Sequence, residues 1–361
     1  MKILLIITGL GMGGAERQVC DLADQFANKG QSVLLITMTG ETVNRPLSAK
    51  IDVAELNMTK TPLGFIKAYW QARQLIKQFK PDVVHSHMVH ANLFARLLRL
   101  STRIPKLICT AHSSNEGGRG RMLAYRVTDR LCDLTTNVSQ EAVDISVSRG
   151  AVPASRIISI PNGIDTQRFT FNPVIRASLR AQLQLANSTS LILAVGRLTE
   201  AKDYPNLLTA LSQLSGELSR TQLAIIGTGQ EQANIEALTA QLGLTERVHF
   251  LGLQRNVHEW MSTADIFVLS SAWEGFGLVV AEAMACERVV VATDCGGVKE
   301  VMGECGILVP AKNSPALAEG LQRGLVLNPD AAKAQGAAAR ARIVENYSLK
   351  SQADKWLGLY Q

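Results

Sequence analysis

A chain of 361 residues is long for a single hydrophobic core and suits two domains. Its 47% apolar and 19% charged residues exclude a disordered chain, and no apolar run approaches the roughly 18 residues that a membrane-spanning helix requires. The N-terminal run MKILLIITGL has one lysine and a very short apolar core, so we expect a first strand and not a signal peptide. Six cysteines without a CxxC spacing predict reduced, packed thiols and a cytoplasmic protein.

Positive charge is concentrated in the first half of the chain. Residues 1–170 hold 21 Lys and Arg against 13 Asp and Glu, whereas residues 171–361 hold 16 against 18. Anionic lipid headgroups, a phosphorylated acceptor or nucleic acid would fit this half, and so would a solvated surface without a partner. Aromatic residues are only 5% of the chain and do not interleave with the basic clusters, which disfavours nucleic acid. The cations concentrate in residues 67–80 and 96–130, including Arg96, Arg99, Arg103, Lys106, Arg119, Arg121 and Arg126.

The first elements form a βαβ unit around a glycine-rich loop. A strand, a loop and a helix are predicted within residues 2–29, and a second strand over residues 33–37. The pattern Gly9-x-Gly11-x-x-Gly14 formally matches the dinucleotide-binding fingerprint. No acidic residue ends the second strand to hold a ribose, so a dinucleotide-dependent oxidoreductase is disfavoured. We expect instead a loop that lets a substrate or a phosphate approach the backbone closely.

Strand and helix patterns alternate through the rest of the chain and predict an α/β fold with parallel sheets covered on both faces. The pattern breaks at residues 161–165 (PNGID) and restarts with a strand over residues 190–195. We therefore predict two Rossmann-like, doubly wound domains, residues 1–165 and 166–345, with a helix over about 346–361 returning to the first. Because ligands bind at the carboxyl ends of such strands, two facing sheets would share an interdomain cleft. Further strands are predicted over residues 83–85, 106–110, 134–138, 157–160, 222–226, 248–251, 266–269, 289–292 and 306–309.

Residues 270–285 (SSAWEGFGLVVAEAMA) combine a glycine-interrupted turn with a helix start. A helix start presents unpaired N–H groups and the positive end of the helix dipole, so it attracts anions. Glu274 lies on the turn and Glu282 about two helical turns further on. A site that offers N–H donors to phosphate and carboxylates to hydroxyls suits a sugar nucleotide.

Two motifs make the interpretation specific: Gly196-Arg197-Leu198 with Lys202, and Glu274-Gly275-Phe276-Gly277-Leu278 with Glu282. Together they resemble the retaining glycosyltransferases of family 4, which have the two-Rossmann (GT-B) architecture. The resemblance covers nearly the whole chain and departs from the family at Glu287-Arg288, where Gly-x-Pro is usual, and at Lys299, where Pro is frequent. It also includes the glycine loop at 11–14 followed by Glu16-Arg17, the strand-end His112, residues 161–165, and Gly296-Gly297.

The resemblance implies a role for each motif residue. Glu274, near the reacting face of the donor sugar, and His112 are the implied catalytic residues. Arg197 and Lys202 would neutralise the diphosphate leaving group, which removes the need for a metal, and no cofactor is expected. The rest of the donor would be held by Phe276, Gly277, Leu278 and Glu282, and Glu282 would accept hydrogen bonds from the ribose hydroxyls. Gly13 and Gly14 would lie against the acceptor or the donor phosphate.

The implied activity is transfer of a hexose or N-acetylhexosamine, with retention, from a nucleotide-sugar donor, with UDP favoured over GDP. The acceptor would be a glycan or glycolipid of bacterial surface polysaccharide synthesis, such as lipopolysaccharide, O-antigen or capsule. Acceptor choice would lie in loops near residues 40–64 and 113–121. The basic first domain suggests peripheral contact with the inner face of the cytoplasmic membrane. A sugar-nucleotide epimerase on the same architecture is the alternative.

Retention leaves two mechanisms open. Glu274 could act as a covalent nucleophile, or the leaving phosphate could itself deprotonate the acceptor hydroxyl on the same face. The second route is favoured because no second acid is paired with Glu274 as in a hydrolase dyad.

Overall fold

A computed structural model describes residues 1–113, 117–186 and 188–361, which divide into two compact units. Unit 1 comprises Met1–Gly163 and Leu349–Gln361, and unit 2 comprises Ile164–Ser348. Within the described ranges, no helix is both long enough and apolar enough to cross a bilayer.

Unit 1 is built on seven parallel strands covered by helices. The strand order is β3-β2-β1-β4-β5-β6-β7, where the strands are β1 (Lys2–Ile7), β2 (Ser32–Thr37), β3 (Asp52–Glu55), β4 (Val83–His87), β5 (Lys106–Ala111), β6 (Leu134–Asn137) and β7 (Ile157–Ser159). Its first helices are α1 (Gly14–Asn28), α2 (Pro62–Phe79), α3 (Val89–Leu98), α4 (Arg119–Thr128) and α5 (Gln140–Ser148).

Unit 2 repeats this topology with six parallel strands in the order β10-β9-β8-β11-β12-β13. The strands are β8 (Leu191–Val195), β9 (Gln222–Ile226), β10 (Val248–Gly252), β11 (Ile266–Leu269), β12 (Val289–Asp294) and β13 (Ile307–Pro310). The helices are α6 (Pro173–Gln182), α7 (Tyr204–Ser212), α8 (Gln232–Gln241), α9 (Val257–Thr263), α10 (Leu278–Ala285), α11 (Val298–Met302), α12 (Ser314–Leu325) and α13 (Pro329–Tyr347).

Both sheets reverse their winding direction at one point, between β1 and β4 in unit 1 and between β8 and β11 in unit 2. Doubly wound sheets bind ligands beside the carboxyl ends of the strands that flank this switch point, because the following loops diverge there. The loops at these positions begin at Thr8 and Met88 in unit 1, and at Gly196 and Ser270 in unit 2.

The last helix, α14 (Leu349–Tyr360), belongs to unit 1, as predicted for the returning C-terminal helix. Its buried residues join the core between α1 and the sheet, and the rings of Phe26 and Tyr360 meet edge to face with centroids 5.5 Å apart. Local amphipathic periodicity predicts this helix, since Leu349, Ala353, Trp356 and Tyr360 recur at spacings of three and four residues.

Several elements differ from the sequence-based prediction. The edge strand β3 and the helices α6, α11 and α12 were not predicted; β3 is only four residues long and only partly buried, so its pattern is weak. Arg96 is not part of the basic surface. It is fully buried, where its guanidinium donates to the carbonyl of Tyr125 (2.9 Å) and to Thr135 Oγ1 (3.0 Å).

Replacing Trp356 tests the contribution of α14 to unit 1. Because its side chain is only 3% exposed in the core, Trp356→Ala is expected to lower the free energy of unfolding by about 3–5 kcal/mol. The exposed neighbour Lys355 is the matched control, and Lys355→Ala should change the free energy of unfolding by no more than about 0.5 kcal/mol. Urea unfolding followed by circular dichroism measures both, and equal effects of the two substitutions would contradict the packing described here.

Candidate active site

An ion pair joins the two loops that flank the switch point of unit 2. Lys202 ends a short 3-10 turn after β8, and its ammonium pairs with a carboxylate oxygen of Glu274, which follows β11. Ser271 donates its hydroxyl hydrogen bond to the same carboxylate oxygen over 2.7 Å. Both charged side chains are mostly withdrawn from solvent, at 20% and 14% exposure, so each charge depends on its partner.

Backbone and side-chain hydrogen bonds hold these two loops together. The Ser270 hydroxyl donates to the carbonyl of Lys202 over 2.8 Å, and the Ala272 amide donates to the carbonyl of Ala201 over 2.9 Å. Thr293, on β12, donates its hydroxyl to the carbonyl of Ser271 over 2.7 Å. These hydrogen bonds fix the two loops to each other, so the positions of the ammonium and the carboxylate are not independent.

Tyr204 supports the first of these loops. Its phenol donates to the carbonyl of Gly196 over 3.0 Å. Burial, with a smaller contribution from the charge of Glu274, raises the pKa of Tyr204 above its ordinary value. The phenol therefore stays protonated and keeps this hydrogen bond.

Arg197 is exposed, and its guanidinium makes no hydrogen bond or ion pair with any residue in the part of the chain that the structure describes. Its guanidinium follows β8 on the same loop as Lys202. The loop thus carries one cation that is paired with Glu274 and a second one that is available to an anion.

The turn before α10 has the geometry that a close backbone approach requires. Gly277 is the N-cap of α10 with φ +81°, and Gly296 has φ +57°. A Cβ added to Gly296 would overlap the carbonyl oxygen of Glu274, so only glycine lets the Gly296 backbone lie against this turn. The amide of Gly297 donates to the carbonyl of Gly275 over 3.1 Å.

The other predicted donor residues occupy different environments. The ring of Phe276 is buried against Tyr347, with centroids 5.7 Å apart, so only its backbone is available to a ligand. Leu278 begins α10, and Glu282 lies one turn along this helix and is half-buried.

Unit 1 carries a pair of histidines at the carboxyl ends of β4 and β5. His87 ends β4, His112 follows β5, and His87 Nδ1 lies 3.1 Å from His112 Nε2. Burial lowers the pKa of His112 to about 4 and that of His87 well below its ordinary value. Both imidazoles are therefore neutral at pH 7, and one ring donates the hydrogen bond that the other accepts.

The remaining ring nitrogens of this pair, His87 Nε2 and His112 Nδ1, are buried and have no hydrogen-bond partner among the described residues. In contrast, His85 uses both of its nitrogens. Its Nδ1 lies 2.6 Å from the Tyr360 hydroxyl, and its Nε2 lies 2.6 Å from Thr110 Oγ1. His85 is thus part of the core, whereas His87 and His112 retain unused hydrogen-bonding capacity.

The glycine loop of unit 1 lies beside the other strand of its switch point. Gly13 is the extended N-cap of α1 and Gly14 is the first helical residue, and the carboxylate of Glu16 lies against Gly13. Residues 114–116, part of the loop that the sequence analysis connects with acceptor choice, lie outside the described residues. In the ranges that are described, no three His, Cys, Asp or Glu side chains form a group that could hold a metal ion.

Sequence reasoning did not single out His87, Ser271 or Thr293 as members of this site. The run at residues 85–90 (HSHMVH) fits no zinc-ligand spacing and predicts a strand end on the acceptor side, but nothing in it identifies His112 as the partner of His87. Ser271 and Thr293 are ordinary hydroxyl residues, and their role depends on the approach of β11 and β12. Their strand-end positions are the only signal that could have found them.

The low pKa of His112 predicts an acid-sensitive stability. The folded protein resists protonation of His112 until about pH 4, whereas the unfolded chain protonates near pH 6.5, so the stabilisation is present above pH 6.5 and is lost as the pH falls towards 4. Between pH 7 and pH 5, the free energy of unfolding of the wild type should therefore fall by about 1–2 kcal/mol more than that of His112→Gln. Urea unfolding at both pH values measures this, with Lys355→Ala, an exposed substitution that removes no imidazole, as control. If the free energy of unfolding of His112→Gln fell as much as that of the wild type, the prediction would be contradicted.

Comparisons with known proteins match both units of the chain. A family model described as Glycosyltransferase Family 4 matches residues 12–168, and one described as Glycosyl transferases group 1 matches residues 175–342. An alpha-maltose-1-phosphate synthase of Mycolicibacterium smegmatis is 30% identical over 77% of this chain and 78% of its own. A lipopolysaccharide core biosynthesis glycosyltransferase of Rhizobium meliloti is 26% identical over 86% of this chain and 85% of its own.

A third relative is the N-acetylgalactosamine-N,N'-diacetylbacillosaminyl-diphospho-undecaprenol 4-alpha-N-acetylgalactosaminyltransferase of Campylobacter jejuni, 27% identical over 89% of each chain. Among solved structures, HepE of Anabaena in complex with UDP and glucose superposes with a TM-score of 0.89 at 22% identity, over 99% of each chain. This similarity shows a common fold, the GT-B architecture predicted from the sequence. The chain belongs to glycosyltransferase family 4.

Proposed function

We propose that this glycosyltransferase moves a hexose or N-acetylhexosamine, with retention, from a UDP-sugar to a glycan or glycolipid acceptor of bacterial surface polysaccharide synthesis. The observation that carries the proposal is the Lys202–Glu274 pair at the switch point of unit 2, with Arg197 available on the same loop. This combination offers cations to a diphosphate and a carboxylate to a sugar.

Transfer creates negative charge on the phosphate that leaves the sugar. Arg197 and Lys202 would stabilise this charge as it develops, so that no metal ion is needed for this purpose. A bound diphosphate would compete with Glu274 for the ammonium of Lys202 and free the carboxylate for the sugar hydroxyls. Glu282 would accept the ribose hydroxyls, and the backbone at Gly277 and Leu278 would approach the donor.

The choice of UDP rests on the HepE structure, which is a complex with UDP and glucose. The acceptor class rests on the relatives: the Rhizobium protein acts in lipopolysaccharide core biosynthesis, and the Campylobacter protein is named for an acceptor linked to diphospho-undecaprenol. In unit 1, His112 and the loop at Gly13 and Gly14 would face substrate. We place the reaction in the cytoplasm, at the inner face of the membrane, where a lipid-linked acceptor would be reached.

For retention, we favour the route in which the leaving phosphate is the base. The acceptor oxygen bonds to the anomeric carbon while the bond from that carbon to the phosphate oxygen breaks, and its electron pair remains on the phosphate. The proton of the acceptor hydroxyl passes to that phosphate oxygen. Glu274 would orient the sugar and stabilise its positive charge, because Ser271 would still hold its carboxylate after the diphosphate has taken the Lys202 ammonium.

Substitutions in the pair test the proposed donor site. We expect Glu274→Gln and Lys202→Met each to lower the turnover of UDP-sugar at least about 100-fold, because each removes a charge that acts on the reacting groups. Lys202→Met should also weaken UDP binding, whereas Glu274→Gln should preserve it. Calorimetry and UDP release, measured over a panel of UDP- and GDP-sugars, report both effects.

Glu200→Gln is the matched control, since Glu200 is an exposed acid on the same 3-10 turn. Wild-type turnover in Glu274→Gln would refute the role assigned to Glu274. Turnover of GDP-sugars alone would refute the choice of uridine as the nucleoside of the donor. A new sugar nucleotide formed from the donor alone would identify an epimerase.

Gly296 offers a second test of the turn that carries Glu274. Gly296→Ala forces the Glu274 backbone to move, so UDP-sugar turnover should fall by about tenfold or more. Gly243→Ala is the control, because Gly243 has a similar φ of +67° but nothing within 4 Å of an added Cβ. Both variants bear the strain of a left-handed alanine, about 1–2 kcal/mol, so their melting temperatures should fall. Equal turnover in the two variants would exclude a role for the Gly296 contact.

A further inference from the structure

Helix α2 has two apolar faces, and the core of unit 1 uses only one of them. Ala68, Ala72 and Ile76 are buried against the sheet and its neighbouring helix. On the opposite side, Leu63, Ile66 and Trp70 are 79%, 50% and 56% exposed. Their spacing of three and four residues puts them in one row along the helix. We call this row the α2 face.

The charge around the α2 face has one sign. Helix α2 contains three basic residues and no aspartate or glutamate in its 18 residues. Lys67 and Lys77 are exposed on the same side as the apolar row, and Lys60 and Lys80 are exposed just beyond the two helix ends. An exposed helix of this length without a single carboxylate is suited to an anionic surface.

The surface continues onto the end of α3. The Tyr69 hydroxyl lies 3.2 Å from the carbonyl of Leu97 and 2.7 Å from Ser101 Oγ, which fixes the two helices side by side. Leu97 and Leu100 are 36% and 66% exposed there, and the exposed Arg103 follows. The guanidinium of Arg73 lies 4.9 Å from the centre of the Trp70 ring and donates to the carbonyl of Ser101 over 3.2 Å, so it supports the indole in its exposed position.

We propose that the α2 face, with Leu97 and Leu100, docks on the surface of an anionic lipid bilayer. Leucine, isoleucine and tryptophan would enter the boundary between headgroups and acyl chains, and the surrounding lysines would contact lipid phosphates. A protein partner fits this surface less well, because lysine is depleted in the cores of protein interfaces whereas it is typical of helices that lie on membranes. The inference deepens the proposed function, on which its purpose rests, by naming the surface that would bring the enzyme to a lipid-linked acceptor.

Vesicle flotation tests the docking surface with the full chain. Wild type should float with vesicles of phosphatidylglycerol and phosphatidylcholine, remain behind with phosphatidylcholine alone, and be released by high salt. The triple variant Leu63→Ser, Ile66→Ser, Trp70→Ser should bind the anionic vesicles at least about tenfold more weakly, and Lys67→Glu with Lys77→Glu should abolish binding. The matched control is Val174→Ser with Val326→Ser, which removes two exposed apolar side chains of unit 2 (76% and 65% exposed) and should bind as wild type does.

A spectroscopic readout locates the contact. Anionic vesicles should shift the tryptophan emission of wild type to shorter wavelength, and brominated lipids should quench it, whereas Trp70→Phe should lose both changes.

Circular dichroism and thermal melting of the triple variant establish that it is folded. Binding by the folded triple variant at the wild-type level, or a failure of wild type to bind anionic vesicles, overturns the proposal. So does a dimer of wild type that the triple variant disperses, measured by analytical ultracentrifugation, because the surface would then bind a second copy.

UDP-sugar turnover without lipid separates this inference from the proposed function. The double variant Ile66→Ser, Trp70→Ser should retain this turnover, since neither position belongs to the candidate active site or to the segments connected with acceptor choice, and it should still bind anionic vesicles more weakly than wild type. Turnover without vesicle binding refutes only the docking surface, and vesicle binding without turnover of any nucleotide sugar refutes only the proposed reaction.

Discussion

The pairing of Lys202 with Glu274 is the interaction on which the site in unit 2 depends. Two opposite charges are mostly withdrawn from water, and either one alone would be poorly solvated there. The pair also joins the loop after β8 to the loop after β11, which are the two loops that flank the switch point. The pair is thus a structural tie between these loops and, under the proposed function, the point at which a diphosphate would compete with Glu274 for the Lys202 ammonium.

The two units share a strand order but present different chemistry at their strand ends. In unit 2 the switch point carries an ion pair and an exposed arginine. In unit 1 the strand ends carry two buried imidazoles, whose pKa values are lowered by burial, so they act as neutral hydrogen-bonding groups at pH 7. One fold thus presents charged side chains at the strand ends of unit 2 and neutral imidazoles at those of unit 1.

The basic character of the first half has a structural pattern that its composition does not reveal. Arg96 is enclosed in the core, where carbonyl and hydroxyl oxygens accept its hydrogen bonds. Lys67 and Lys77, in contrast, lie on the exposed side of α2 beside an apolar row. Helix α2 therefore packs against the core on one side and presents lysines and apolar side chains together on the other.

The sequence by itself determined the class of fold and the loops that carry Glu274, Lys202 and His112, because glycine positions and apolar periodicity act over a few neighbouring residues. The family followed from the resemblance of the motifs in these loops. It also predicted α14, whose apolar spacing is regular. Only the tertiary structure decided that Lys202 meets Glu274, that His112 meets His87, and that the Phe276 ring belongs to the core. The physical reason is that local patterns report which side of an element is apolar, whereas strand order determines which distant side chains meet.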